Sequence, residues 1–235
     1  MNQHKLASGL LAALLLLLAA CQAAPKATQA PAPIENPTAA APAGEPGVES
    51  TPEDVSGWWN DVVFYEIFVR SFKDSDGDGI GDFQGIKEQL DYLNDGDPET
   101  NTDLGIGALW LMPINPSPSY HGYDVTDYKA VNPDYGTLDD FKQLLEACHA
   151  RGIRVIMDFV VNHTSTQHPW FKAAVAGDAK YKDYYVWSDK DPGSLGPWGQ
   201  KPWYRASNGK FYYAVFWGQM PDLNYHNPAV TEEIQ

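Results

Sequence analysis

Three short apolar runs, separated by segments with helical spacing, constrain the fold of this chain more than any other feature. The runs cover residues 62–69, 108–112 and 153–161. The first run carries β-branched and aromatic residues at both alternating positions, which is typical of a strand that is covered on both faces in a parallel sheet. The sequence therefore predicts three parallel strands.

The segments between the runs have the spacing of amphipathic helices. Apolar residues recur with a helical period over 83–93 and again over 138–148. Thr137 and Asp140 form a capping-box pattern at the start of the second helix, and Gly152 follows its end. Strand, helix, strand, helix and strand make two consecutive βαβ units with right-handed crossovers.

Two α/β folds begin in this way: the doubly wound nucleotide-binding fold and the (β/α)8 TIM barrel. The first needs a Gly-x-Gly-x-x-Gly turn after its first strand. Here Gly79-Ile80-Gly81 lacks the third glycine and stands among aspartates that would repel a pyrophosphate. The sequence therefore predicts the N-terminal portion of a TIM barrel.

The loop between the first strand and the first helix has the ligand spacing of a calcium site. Carboxylates occupy its positions 1, 3, 5 and 9, and position 7 can offer a backbone carbonyl. Four like charges in nine residues repel one another unless a cation lies among them, and an all-oxygen set favours Ca²⁺. The alternative is a solvated acidic turn, since the glutamate of an EF-hand is absent at position 12. The predicted ligands are Asp74, Asp76, Asp78, Ile80 and Asp82.

The N-terminus predicts an exported lipoprotein. Lys5 precedes a charge-free stretch over residues 6–20, which is too short for a relaxed membrane span but typical of an export signal. The ending Leu18-Ala19-Ala20-Cys21 resembles a bacterial lipobox, which implies a signal peptide over 1–20 and lipidation of Cys21. The chain would then be anchored to the membrane of the bacterial cell envelope. The alternative is an ordinary signal peptide with an incidental cysteine.

Composition separates a tether from a globular part. Residues 21–54 are rich in Ala and Pro and contain no Phe, Trp or Tyr, which predicts a disordered tether. The formal net charge of the whole chain is −15 at pH 7. Such an acidic chain offers no basic face for phosphates, so we expect no nucleic acid as a partner.

Polar motifs follow the second and third strands. They are Tyr120–Tyr128, Asp158–Ser165 and, further on, Met220–Tyr225. Together with the acidic loop and the run 105–113, they closely resemble the α-amylase family, glycoside hydrolase family 13. The resemblance covers about residues 58–235. Met-Pro-Asp-Leu-Asn is similar to the branch intermediate between neopullulanase-type and oligo-1,6-glucosidase-type enzymes.

This resemblance implies a retaining hydrolase that acts on α-glucan oligosaccharides or starch, and it supplies roles for matching positions. Tyr123 would stack on a glucose ring, while His121 and His163 would bind hydroxyls of that glucose. Asp158, together with His163, would support the neighbouring catalytic groups.

The resemblance also implies a domain plan. The first three βα units would occupy 55–165, an inserted domain B 166–227, and the start of the helix before strand four 228–235. Domain B is dense in aromatic residues. We expect most of them to form its core and a few to contact substrate.

The family places its nucleophilic Asp after strand four, in a Gly-Phe-Arg-x-Asp setting, and its acid/base Glu after strand five. No Phe-Arg-x-Asp occurs before Gln235. The expectation is therefore a fragment or a damaged gene that lacks both catalytic carboxylates and is inactive alone. Three alternatives remain: a non-catalytic glucan-binding surface lipoprotein, an inactive remnant, and a calcium-dependent adhesion module.

Overall fold

The computed structural model describes residues 57–235, and the predicted signal peptide, Cys21 and the tether lie outside the described residues. Three strands form a parallel sheet in the order β1 (Phe64–Ile67), β2 (Ala108–Leu111) and β3 (Arg154–Met157). This confirms the predicted order of strands and their parallel direction.

The three strands are aligned without stagger, because Ile67, Leu111 and Met157 are paired across the sheet. All strands therefore end at one edge, where the following loops meet. The third strand is shorter than the predicted run 153–161. Beyond it, the single Tyr128 hydroxyl lies 2.8 Å from the carbonyl oxygens of both Val160 and His163.

Helices cover one face of this sheet. They are α1 (Val69–Phe72), α2 (Phe83–Glu88), α3 (Leu90–Leu93) and α4 (Leu138–Ala150). The predicted helix over 83–93 is interrupted at Gln89, whose backbone has φ −105° and ψ 7°. The two pieces still present their apolar residues to the same core. Single 3₁₀ turns occur at Trp58–Asn60 and Pro133–Tyr135.

The capping box at the start of α4 is confirmed. The Asp140 N–H donates to Thr137 Oγ1 at 3.2 Å, and the Thr137 N–H donates to Asp140 Oδ2 at 2.8 Å. The helix buries Leu144 and Cys148 against the sheet. The core here is mostly aliphatic; its fully buried members include Ile67, Ile86, Leu90, Leu93, Leu109, Leu111 and Leu144.

The chain leaves the parallel sheet after β3 and forms a second, smaller structure. Helix α5 (Pro169–Val175) precedes three short strands, β4 (Trp187–Ser188), β5 (Trp203–Arg205) and β6 (Phe211–Tyr213). They form an antiparallel sheet in the order β4-β6-β5. As expected, aromatic residues build its core: Phe171, Tyr184, Tyr185 and Tyr212 are buried, and Trp170, Tyr181, Trp187 and Tyr204 pack against them.

A last helix, α6 (Pro228–Ile234), lies where the sequence predicts one. Asn227 caps it, because its Oδ1 accepts the N–H of Ala229 at 3.1 Å. None of the helices within residues 57–235 combines the length and the apolar character that crossing a bilayer demands.

Candidate functional site

Asp158 is the centre of a hydrogen-bonded group at the carboxyl edge of the parallel sheet. Its Oδ1 accepts the indole Nε1–H of Trp110 at 2.7 Å, and its Oδ2 accepts the hydroxyl of Tyr123 at 2.6 Å. Burial and the bond to Asp158 raise the pKa of Tyr123 to about 12. The phenol therefore stays protonated near neutral pH, and the Asp158 carboxylate is held by two donors.

Trp110 is the member of this group that was not predicted from the sequence. It lies in an apolar run, where a tryptophan is expected to be one of the apolar residues of a strand. The register between β2 and β3 explains why Trp110 reaches Asp158. Trp110 is paired with Ile156, and Asp158 lies two residues after Ile156, immediately beyond the end of β3. Side chains two residues apart point to the same face of a sheet, so Trp110 and Asp158 had to lie on one face.

His121 lies beside Tyr123 with a defined tautomer. Its Nδ1 accepts the backbone N–H of Tyr123 at 3.1 Å, and the Ser119 hydroxyl lies 3.1 Å from the same nitrogen. A backbone N–H can only donate, so Nδ1 carries the lone pair. In the neutral ring the proton is then on Nε2, which is a hydrogen-bond donor suited to a sugar hydroxyl.

His163 is buried, with 4% of its surface exposed. Its Nε2 lies 3.1 Å from the carbonyl oxygen of Tyr123 and must donate there, because a carbonyl only accepts. Burial lowers the pKa of His163. The structure therefore brings His163 to the predicted site, with its Nε2 proton holding the backbone of Tyr123.

Asp124, the residue after Tyr123, is also buried. It accepts the hydroxyl of Ser117 at 2.6 Å and the hydroxyl of Ser119. Since Ser119 also contacts His121, the loop after β2 is cross-linked from Ser117 to Tyr123. The backbone N–H of Tyr123 is thus held from within its own loop, whereas its hydroxyl and its carbonyl are held by Asp158 and His163.

Three of the predicted calcium ligands converge in the loop that follows α1. Asp74, Asp76 and Asp78 can each place one carboxylate oxygen within 4.8 Å of the others. The backbone N–H groups of Gly77 and Gly79 donate to Asp74 at 2.6 and 2.8 Å, and these bonds lower the pKa of that carboxyl. The donor set is all oxygen, which fits Ca²⁺.

Asp82, the fourth predicted carboxylate, is placed differently. It caps α2 by accepting the N–H of Gly85 at 2.7 Å, and its other oxygen accepts the N–H of Ser75 at 2.9 Å. Burial acts to raise the pKa of Asp82, but these hydrogen bonds outweigh it and hold the pKa below its usual range. Ile80 lies in the same loop, and its N–H donates to Asp78 Oδ1 at 2.7 Å.

The sequence of the chain is similar to those of known proteins. Residues 66–235 match the family described as Alpha amylase, catalytic domain. Alpha-amylase 3 of Dictyoglomus thermophilum is 49% identical over 179 residues, which are 76% of this chain and 33% of that protein. Oligo-1,6-glucosidase of Parageobacillus thermoglucosidasius is 42% identical over 185 residues, covering 75% of this chain and 32% of that protein.

Solved structures give the same result. The crystal structure of alpha-amylase from H. orenii superposes with a TM-score of 0.69 at 58% sequence identity, over 74% of this chain and 36% of that one. The chain thus spans about a third of the length of the relatives it matches.

Proposed function

The chain belongs to the α-amylase family, and on this premise we propose that it is part of a retaining glycoside hydrolase that acts on α-glucan oligosaccharides or starch. Its described residues form the N-terminal portion of a (β/α)8 TIM barrel. The observation that carries the proposal is the group around Asp158, at the edge of the barrel where TIM-barrel enzymes place their active sites.

Each residue of this group has a distinct part in the proposal. The ring of Tyr123 stacks on the apolar C–H face of one glucose unit. His121 donates its Nε2 proton to a hydroxyl of that sugar. His163 supports the platform by holding the Tyr123 backbone. Because its Nε2 proton is used in that bond, any direct bond to the sugar would be made by Nδ1. Asp158 fixes the tilt of the Tyr123 ring through the phenol.

The proposal gives Asp158 no part as nucleophile or general acid. Retaining hydrolysis requires two carboxyl groups about 5–5.5 Å apart, one to attack the anomeric carbon and one to exchange protons with the leaving oxygen. Both oxygens of Asp158 are already bound by Trp110 and Tyr123. We therefore propose that both catalytic carboxylates belong to other parts of the enzyme, and we expect this chain to bind sugar without turnover.

Titration calorimetry of the 235-residue chain with maltotriose tests the sugar site. We expect Tyr123→Ala to abolish measurable binding, and Tyr123→Phe to weaken it about 10-fold through loss of the bond to Asp158. Tyr92→Ala is the matched control, because Tyr92 is exposed but lies on α3, away from the carboxyl edge. Equal affinities of the Tyr123→Ala and Tyr92→Ala variants would contradict the sugar site. Hydrolysis of maltotriose above background would contradict the proposed lack of turnover.

We propose that Asp74, Asp76 and Asp78, with the carbonyl of Ile80, bind a structural Ca²⁺, and that Asp82 supports the loop by capping α2. Added Ca²⁺ should raise the unfolding temperature, and a chelator should reverse the rise, since an ion that binds only the folded state stabilises it. Asp76→Asn plus Asp78→Asn should remove this response. Asp97→Asn plus Asp103→Asn, in a separate acidic loop, should retain it. A response that persists in the first double variant would refute the site.

We propose that the protein is exported and anchored to the cell envelope through Cys21, supported by the segment Leu18-Ala19-Ala20-Cys21. In cells fed a radiolabelled fatty acid, the chain should incorporate label and sediment with membranes. Cys21→Ser should abolish both properties, whereas Cys148→Ser should change neither. Label retained by the Cys21→Ser variant would overturn the proposed anchor.

A further inference from the structure

A cavity of about 390 Å³ is lined by residues of α5 and of the hairpin that β5 and β6 form. Its lining contains the cationic side chains of Lys172 and Arg205 and no carboxylate. The chain as a whole has a formal net charge of −15. The cavity is therefore a local exception to the acidic character of the chain, and its two cations favour an anionic ligand.

Neither cation of this cavity is used in an ion pair. Both side chains are exposed, and none of the salt bridges within residues 57–235 includes Lys172 or Arg205. By contrast, Lys180, Lys182 and Lys210 of the same inserted structure each lie 2.8–3.9 Å from a carboxylate oxygen. A ligand can thus reach both cations without displacing a carboxylate of the protein.

Hydrogen bonds fix the walls that carry the two cations. Asn208 Nδ2, in the turn of the hairpin, donates to the carbonyl of Val175 near the end of α5 at 3.3 Å. At another part of the lining, the N–H of Thr166 donates to the carbonyl of Gln219 at 2.9 Å, and Thr166 Oγ1 donates to Gln219 Oε1 at 2.5 Å. The cavity is therefore formed before any ligand binds, which lowers the entropic cost of binding.

The buried part of the lining is apolar. It consists of the rings of Phe171 and Tyr212, which meet edge-on with centroids 4.9 Å apart. The Tyr212 hydroxyl is occupied, because it donates to the carbonyl of Gly218 at 2.7 Å. A small molecule with one anionic end and one apolar end fits such a lining, and the volume is that of a small-molecule site.

We propose that this cavity binds a small phosphate monoester. The planar guanidinium of Arg205 matches two phosphoryl oxygens, and the ammonium of Lys172 supplies a point charge to the same group. A phosphate monoester carries close to two negative charges at pH 7, which two cations balance, whereas a carboxylate carries one. The organic body of the ester packs on the rings of Phe171 and Tyr212. This site is separate from the proposed sugar site and does not depend on it.

Titration calorimetry of the 235-residue chain tests the proposal, with phenyl phosphate, inorganic phosphate and benzoate as probes and sodium chloride holding the ionic strength constant. Phenyl phosphate should bind one to one, and about 10-fold more tightly than inorganic phosphate, because only its ring reaches the apolar lining. Benzoate should bind more weakly than phenyl phosphate. Lys172→Gln plus Arg205→Gln should weaken the binding of phenyl phosphate by about 10-fold or more. Arg205→Lys keeps the charge but loses the fork, so its affinity should lie between those of the unmodified chain and the double variant.

Lys182→Gln plus Lys190→Gln is the matched control, because it removes the same charge from two exposed lysines of the inserted structure that do not line the cavity. It should bind phenyl phosphate as the unmodified chain does. Equal weakening in the two double variants would mean general attraction of anions and would overturn the site. Inorganic phosphate or benzoate binding as tightly as phenyl phosphate would overturn the assignment of a phosphate monoester. Absence of phenyl phosphate binding to the unmodified chain would refute the proposal and leave the sugar site untouched.

Discussion

The two cores of this chain are built from different side chains. Beneath the parallel sheet the buried residues are mainly Leu, Ile and Val, as at Leu109 and Leu144. In the inserted structure half of the buried residues are aromatic, as at Phe171, Tyr185 and Tyr212. Aliphatic burial is non-directional, whereas aromatic rings prefer edge contacts and each buried tyrosine hydroxyl needs a partner. The second core should therefore tolerate changes of shape less well than the first.

The hydroxyls of the aromatic core show how this demand is met. The Tyr185 hydroxyl lies 2.8 Å from Thr164 Oγ1, and the Tyr212 hydroxyl donates to the carbonyl of Gly218 at 2.7 Å. Both partners belong to the segments that enter and leave the inserted structure. The bonds therefore tie the aromatic core to the loops that connect it with the barrel.

The largest difference in unfolding free energy between the two cores should come from substitution of their buried phenylalanines. Phe171 meets three rings with centroids 4.9–5.8 Å away (Tyr185, Trp187 and Tyr212), whereas Phe83 meets two at 5.3 and 6.1 Å. Replacement of either by Ala should lower the free energy of unfolding by about 3–5 kcal/mol. Replacement by Leu should cost more at Phe171, since Leu restores volume but no ring edges. Urea unfolding measures the free energy of unfolding of all four variants. Equal losses for Phe171→Leu and Phe83→Leu would show that the two cores do not differ in their tolerance of shape changes.

The first core could be predicted from sequence because its rules are local and periodic. The apolar period placed α4 correctly, and Thr137 with Asp140 located its first turn. The second core obeys no such period. Its strands are two or three residues long, and ring contacts such as Phe171 with Tyr212 join residues 41 positions apart. Composition could predict an aromatic core there, but not which rings form it.

The candidate site was predictable in part for the same reason. Tyr123 and His121 follow β2, and Asp158 and His163 follow β3, so their meeting at one edge followed from the topology, although the predicted third run extends past the end of β3. The orientation of each side chain did not follow. The His163 Nε2 proton goes to a backbone carbonyl, and Asp82 caps α2. Both contacts depend on distances of a few tenths of an ångström.

An intermediate change in the unfolding free energy should come from lowering the pH, and it should arise in the inserted structure. His168 is buried and precedes α5, where its Nδ1 accepts the N–H of Trp170 at 3.1 Å. Burial lowers the pKa of His168 to about 4. The unfolded chain binds this proton near pH 6.5, so the stability present above pH 6.5 is lost as pH falls toward 4. The loss should be about 2–3 kcal/mol, because one pKa unit corresponds to about 1.4 kcal/mol.

The variant His168→Asn isolates this contribution. Asn keeps an oxygen that can cap α5 but does not titrate. Carboxylates also protonate in this range, so the informative quantity is the change in unfolding free energy between pH 7 and pH 4.5, measured by urea unfolding at each pH. The variant should lose less stability than the unmodified chain over that interval. His149→Asn, on α4, should lose as much as the unmodified chain does. An identical loss for the His168→Asn variant would show that this histidine does not set the acid sensitivity.

The smallest effect should come from one hydroxyl of the aromatic core. Tyr185→Phe removes the partner of Thr164 Oγ1, which keeps a 3.1 Å bond to the carbonyl of Ser165. The cost should be about 1 kcal/mol, since one hydrogen bond is lost but Thr164 remains satisfied. Thr164→Val should cost more, because it leaves the buried Tyr185 hydroxyl without its partner. In urea unfolding, the double variant should cost less than the two single variants together, because neither hydroxyl is then left unpaired. Strict additivity would mean that this bond contributes nothing specific, and that the aromatic core is held by packing alone, as the aliphatic core is.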